Sequence, residues 1–311
     1  MTSPRLDHVQ CLDNRGLHRM AYWEWGDPAN PRVLLCVHGL SRQGRDFDTL
    51  AKAMSSDYRV VAPDVVGRGQ SDWLADPMAY VIPTYVADMV TLLARLNATQ
   101  IDWVGTSMGG LIGLALAALP GAPVRRLVLN DVGPSVQYEA LQRIGQYLGQ
   151  PVRWPSEAEA ADYLWSISQS FGPHTREQWM ALTLPQLKAD ADGFKPHYDP
   201  AIALPFRAVT PEAATAGEAH LWRAYDNLRS ETLLLRGAES DLLSRDTAMA
   251  MTQRGPRARL QEFEGVGAWP TPSNSCSRAR GPRCVIAMAV SRDSRSDSAP
   301  RSSSVSLRRL S

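Results

Sequence analysis

Gly105-Thr-Ser107-Met-Gly109-Gly110 stands between the apolar run Ile101-Asp-Trp-Val104 and the run Leu111-Ile-Gly-Leu-Ala-Leu-Ala-Ala-Leu119. In that order the three pieces read as strand, sharp turn and helix. A Gly-x-Ser-x-Gly turn in this context holds the serine in a strained conformation at the top of a sheet. Glycines two before and two after it let strand and helix pack closely. Ser107 therefore reads as a nucleophile on an elbow. The plainer alternative is a glycine turn in which Ser107 only caps the helix.

Three further segments support the first reading. Arg32-Val-Leu-Leu-Cys-Val37 is a buried strand ending in His38-Gly39-Leu40-Ser41. Tyr58-Arg-Val-Val-Ala-Pro-Asp64 is a second strand followed by Val65-Val-Gly67-Arg68-Gly69-Gln-Ser-Asp72. Glu231-Thr-Leu-Leu-Leu-Arg-Gly-Ala-Glu239-Ser-Asp241 is a third strand with a glycine turn and two acids. Together with the elbow, these segments resemble the α/β-hydrolase family from about His18 to Gly267. The resemblance implies an α/β fold with a mostly parallel sheet, helices on both faces and an inserted helical cap.

It also assigns roles. The backbone amides of Leu40 and Met108 would form the oxyanion hole, and Asp241 would be the triad acid, fitting that place better than Glu239. The order serine then acid is the family's own. Asp241 has a plainer reading as the N-cap of a following helix, and Asp131, in Leu127-Val-Leu-Asn-Asp131-Val-Gly133, is an alternative acid that more simply braces a loop. His38 precedes the serine and sits at the oxyanion loop, so it reads as structural and not as the base. Arg68 is read as a substrate-carboxylate binder or, at least as readily, as half of a loop-bracing ion pair.

The triad lacks its histidine. Where the family reads Gly-Val-Gly-His-x-Pro, this chain reads Gly265-Val-Gly-Ala268-Trp-Pro270. The six histidines are His8, His18, His38, His174, His197 and His220, and none follows Asp241. The last three fall in the cap and could replace the base only if the acid served another direction than Asp241 implies. Composition changes at the same point. Residues 268–311 hold 12 Ser and 8 Arg against 2 acids, so of the chain's net charge of +1 this segment carries +6 and the preceding residues −5. High serine and arginine without apolar period describe a disordered tail. We read it as frameshifted: from the third base of Pro270, codons can be chosen so that another frame reads His-Ala-Leu-Gln-Leu-Met-Gln-Pro.

Length and 44% hydrophobic residues suit one large α/β core. No run of 18 apolar residues is present and the N-terminus is polar, so a membrane span and a secretory signal are not expected, and the cytoplasm is. Four cysteines, Cys11, Cys36, Cys276 and Cys284, give neither a disulfide framework nor a spaced metal site. No metal, cofactor, nucleic-acid or membrane partner is expected, and oligomeric state is left open.

Strands are predicted at about 19–25, 32–37, 58–62, 101–104, 124–129, 232–236 and 259–263, with a helix over 84–96 (Tyr85, Met89, Leu92, Leu93 and Leu96 on one face). After Pro134 the rhythm becomes consecutive helices at 140–148, 157–170 and 176–187. The organisation expected is therefore a core in two parts, 1–133 and 229–267, a cap over 134–228, and the aberrant tail 268–311. Cap aromatics Trp154, Tyr163, Trp165, Phe171, Trp179, Trp222 and Tyr225 read mostly as core. The activity expected is serine hydrolysis of small or medium carboxylic esters through an acyl-enzyme, impaired here by the missing histidine. Alternatives are carbon-carbon bond hydrolysis of ring-cleavage products and, in another class, a non-catalytic ligand-binding protein on the same fold.

Overall fold

The computed structural model describes residues 3–136, 138–168 and 174–265. Phe171, the last two residues of the second core part and the whole 268–311 segment, with Cys276 and Cys284, lie outside the described residues.

Ten strands are described: β1 Arg5–Asp13, β2 Gly16–Trp25, β3 Val33–Val37, β4 Arg59–Pro63, β5 Ile101–Thr106, β6 Val124–Asn130, β7 Leu187–Asp190, β8 Gly193–Pro196, β9 Glu231–Gly237 and β10 Arg259–Phe263. The helices are α1 Asp48–Met54, α2 Ile82–Leu96, α3 Met108–Ala117, α4 Tyr138–Tyr147, α5 Glu157–Ser166, α6 Arg176–Thr183, α7 Ala203–Arg207, α8 Pro211–Asp226 and α9 Arg245–Gln253. Eight strands form one sheet in the order β1-β2-β4-β3-β5-β6-β9-β10. β1 and β2 pair antiparallel, β2 runs antiparallel to β4, and every later pair in the sheet is parallel.

Why the central strands are mostly apolar is visible in their alternation. Val33, Leu35, Val37, Trp103, Leu127, Leu129 and Leu234 join α2, α3 and α9 in one core cluster, and Leu34, Cys36, Val104, Val128, Leu233 and Leu235 join α1 in the other. Successive side chains on a strand point to opposite faces, so a sheet covered on both sides favours apolar residues at every position and buries a polar one only with partners, as Asp102 has in Tyr58 and Arg125. The helix over 84–96 is present within α2, with Tyr85, Met89, Leu92, Leu93 and Leu96 buried as expected.

The outer parts differ from the sequence expectation. β1 was not expected, because only Val9 and Cys11 of its nine residues are buried and Leu6 and Leu12 are exposed at the sheet edge. In the segment expected to form a cap, the helix expected over 176–187 stops at Thr183. Pro185 has no N–H to extend it, and a short 3-10 turn leads into the β7-β8 hairpin. Trp179 and Leu182 build a small separate core with Ala161, and the Trp179 indole donates to the Ala161 carbonyl at 2.8 Å. Trp154 and Tyr225 are buried as well, whereas Tyr163 is exposed.

Candidate active site

In a parallel sheet the carboxyl ends of the strands line up on one side, which gathers loops far apart in sequence. Here the ends of β3, β5, β6, β9 and β10 carry His38-Gly39-Leu40, Ser107, Asp131, the 238–241 loop and Glu264 respectively. Ser107 sits between β5 and α3 with φ 50° and ψ −116°. Those values are near the mirror image of the first turn position of a type II turn, a conformation dominated by glycine. A serine is held there by the structure around it. Its amide donates to the Asn130 carbonyl at 3.0 Å, and its own carbonyl accepts from Gly110 and Leu111 to start α3.

The flanking glycines are sterically required. A Cβ on Gly105 would lie 2.3 Å from the Gly109 carbonyl oxygen, and one on Gly109 would lie 2.0 Å from that of Val37. Gly39 packs directly against Ser107: a Cβ there would touch Ser107 Cβ at 3.8 Å. The loop after β3 and the turn at Ser107 are thus in contact.

His38 is wholly buried and orients that loop. Its Nδ1 lies 2.7 Å from the Gly39 carbonyl oxygen and its Nε2 accepts from the Val65 amide at 2.9 Å, so Nδ1 carries the proton and donates to Gly39. The Gly39 carbonyl belongs to the peptide whose N–H is Leu40's, so this bond sets where the Leu40 amide points. Burial, against the opposing pull of the Gly39 bond, pushes the imidazole pKa down to about 3. A neutral ring with both nitrogens engaged is no base, in agreement with its structural reading.

The loop after β4 is braced from inside. Asp64 is buried and accepts from the amides of Gly44 at 2.7 Å and Gln70 at 2.8 Å. A Cβ on Gly69 would fall 2.3 Å from its Oδ2. Arg68 is fully buried. Its guanidinium donates to the carbonyls of Leu40 and Val66 and to the Tyr85 hydroxyl. The partners it has among the described residues are carbonyls and a hydroxyl, with no acid of a loop-bracing ion pair.

The two acids differ in setting. Asp241 is 67% exposed and faces Arg143 of α4 at 3.4 Å. Asp131 is buried at the end of β6 with φ 55°, accepts from the Ser240 hydroxyl at 2.9 Å, and has Oδ1 without a partner among the described residues. Burial pushes its pKa up to about 7 against the opposing pull of Ser240, the Gly237 backbone and Arg236. The residue beside Asp241 thus holds Asp131, a link that no sequence signal announced. Of the three later histidines, His220 is exposed, His174 lies edge-on to Trp165 and Trp179, and the His197 carbonyl accepts from Gly69. Cys11, His18 and Asp88 form the one group of metal-ligand type among the described residues. His18 Nε2 lies 3.1 Å from both carboxylate oxygens of Asp88, an arrangement a buried ion pair explains. No helix among the described residues is long and apolar enough to cross a membrane.

Residues 32–273 match the model of the alpha/beta hydrolase fold family. A 3-hydroxybutyrate-oligomer hydrolase of Cupriavidus necator is 58% identical over 273 residues, covering 86% of this chain and 93% of that protein. A 2-hydroxy-6-oxo-2,4-heptadienoate hydrolase of Pseudomonas putida is 27% identical over 246 residues, 77% and 83% of the two chains. The crystal structure of a putative hydrolase from Rickettsia typhi superimposes with a TM-score of 0.78 at 30% identity, covering 88% of this chain and 95% of that one.

Proposed function

This chain belongs to the alpha/beta hydrolase family, and from that premise we propose that it hydrolyses carboxylic esters through an acyl-enzyme on Ser107. The observation that carries the reading is the Ser107 backbone, held at φ 50° with the oxyanion loop packed against it. A serine that only capped α3 would need no such conformation, and its side chain makes no capping hydrogen bond. In the reaction Ser107 Oγ attacks the ester carbonyl carbon, the carbonyl oxygen becomes an oxyanion between the Leu40 and Met108 amides, and the alcohol leaves with a proton. Water then releases the acid by the same route. The substrates are small or medium acyl esters, and the 3-hydroxybutyrate-oligomer hydrolase extends this to short oligoesters of hydroxy acids.

Of the two acids, Asp241 has the family's chain position, while Asp131 has burial, an open carboxylate oxygen and a place beside the elbow. The second arrangement is the better suited to hold an imidazole, because a buried carboxylate fixes ring tautomer and stabilises imidazolium where an exposed one is screened. The base itself is missing from the sequence after Asp241. We take residues 268–311 as the product of a shifted frame, so that this chain turns over slowly; losing a triad histidine costs on the order of 10⁶ in turnover in a characterised serine hydrolase. Reading the gene in all three frames past Gly267 tests this. The proposal retains the cap at 134–228 between two core parts, and a cytoplasmic location.

The functional test is turnover of p-nitrophenyl butyrate and of the 3-hydroxybutyrate dimer, with Ser107→Ala as control. Turnover of a dienoate diketone without ester turnover would instead select carbon-carbon bond hydrolysis. Reversible binding of esters with no Ser107-dependent turnover, in a chain whose gene holds no histidine in any frame, would select the binding protein.

A further inference from the structure

Among the described residues no anion meets the charge of Arg68. It is fully buried, and no carboxylate of the described residues lies within ion-pair distance of its guanidinium. A buried charge is costly unless paired or fully hydrogen-bonded. Its bonds go elsewhere: Nε donates to the Leu40 carbonyl at 2.8 Å, and Nη1 to the Val66 carbonyl at 2.7 Å and the Tyr85 hydroxyl at 3.0 Å. Nη2 reaches only the Met108 sulfur, at 3.6 Å. Leu40 and Met108 are the two residues whose amides form the oxyanion hole.

From this we infer that Arg68 is the positioning residue of the oxyanion hole, one guanidinium that fixes both donor residues and leaves its charge for the anion formed between them. The inference rests on the ester-hydrolase reading of Ser107. Together with His38 it clamps the Leu40 residue from both sides: His38 holds the preceding carbonyl, Arg68 holds Leu40's own. The planar fork suits this task, since donors set at fixed angles bind two loops in one relative position. The backbone of Arg68 is anchored independently. It bridges Tyr198 of the cap, and the neighbouring Gly69 amide donates to the His197 carbonyl while Asp199 donates to Gly67. The same short loop therefore ties the cap to the oxyanion hole through one residue.

The test compares wild type with Arg68→Lys, which keeps charge but not the fork, and Arg68→Met, which keeps length alone. Ser107 is labelled with an uncharged fluorophosphonate over a range of concentrations, separating reversible binding from bond formation. Amide exchange of residues 38–42 and 105–110 is followed by mass spectrometry. Bond formation should fall about 10- to 100-fold in Arg68→Met, as expected for reacting groups displaced by about 1 Å, and less in Arg68→Lys. Reversible binding should stay within about twofold, and exchange should quicken in both segments while residues 33–36 keep their rates. Unchanged bond formation and exchange in both variants would overturn the inference. So would a loss confined to reversible binding of carboxylate-bearing probes, which would make Arg68 a substrate-binding residue. Should Arg68→Met fail to fold, Tyr85→Phe, which removes one acceptor and leaves the charge, should show a smaller loss of the same kind, and no loss there counts against us. If wild-type Ser107 is not labelled at all, the esterase reading fails, while the exchange of the two segments still decides whether Arg68 positions them.

Discussion

Replacing Ser107 by glycine should make the protein more stable than replacing it by alanine. Both variants remove the hydroxyl, so both lose labelling and turnover. They differ only in whether a Cβ must occupy φ 50°, ψ −116°. A non-glycine residue in so sparsely populated a region costs about 1–3 kcal/mol. Against this, glycine gives the unfolded chain extra freedom, a loss of about 0.4–1 kcal/mol relative to alanine. The net advantage of glycine is therefore about 1 kcal/mol, or roughly 2–4 °C in melting temperature for a domain approaching this size. The space is not a confounder, since Ser107 is only half-buried and its Cβ meets the small Gly39. Paired urea titrations of Ser107→Gly, Ser107→Ala and wild type measure the difference at equal slope. An alanine variant as stable as the glycine variant, or more so, would refute the view that the elbow holds a strained residue for function.

Further outcomes follow from the same geometry. Gly109→Ala should destabilise by about 1–3 kcal/mol through overpacking against the Val37 carbonyl 2.0 Å away, and should slow phosphonate labelling of Ser107 as β3 and the elbow separate. Extending the chain past Gly267 with His-Ala-Leu-Gln-Leu-Met should speed that labelling by several orders of magnitude, the scale on which triad histidines act; an unchanged rate would mean the base lies elsewhere. In that extended chain Asp131→Asn should remove most of the gain, on the scale of about 10⁴ known for the buried acid of a trypsin-type triad, and Asp241→Asn less. The reverse ranking would return the acid to Asp241. For His38 the pH dependence has a definite sign. Its folded pKa is depressed to about 3 by burial, so the unfolded chain binds the proton first and stability is lost as pH falls below about 6.5, by roughly 3 kcal/mol at pH 4.5. His38→Gln should abolish that loss in denaturant titrations at pH 7 and 4.5, leaving the slope set by buried acids such as Asp64, whose raised pKa acts in the opposite sense.

The strand-turn-helix at Ser107 and the central strands were legible in the sequence because each is a local matter. Gly105 and Gly109 are required by contacts within or next to their own strand and helix, and the alternation in β3, β5, β6 and β9 follows from burial on two faces. β1 was illegible because an edge strand buries too few residues to show a period, and the β7-β8 hairpin because its residues are only half-buried. The absence of a histidine after Asp241 was equally plain in the sequence. Which way a polar side chain turns was not. Arg68 reads alike in sequence whether it meets a substrate or a carbonyl, and Asp131 and Asp241 are both acids in loops that follow strands. Only the packing of β6 beside β9, which puts Ser240 over Asp131 and leaves Asp241 in water, separates the two. Only the approach of three loops at the ends of β3, β4 and β5 closes the guanidinium among Leu40, Tyr85 and Met108. Burial and hydrogen-bond satisfaction depend on neighbours distant in the chain, and those neighbours exist only once the sheet has formed.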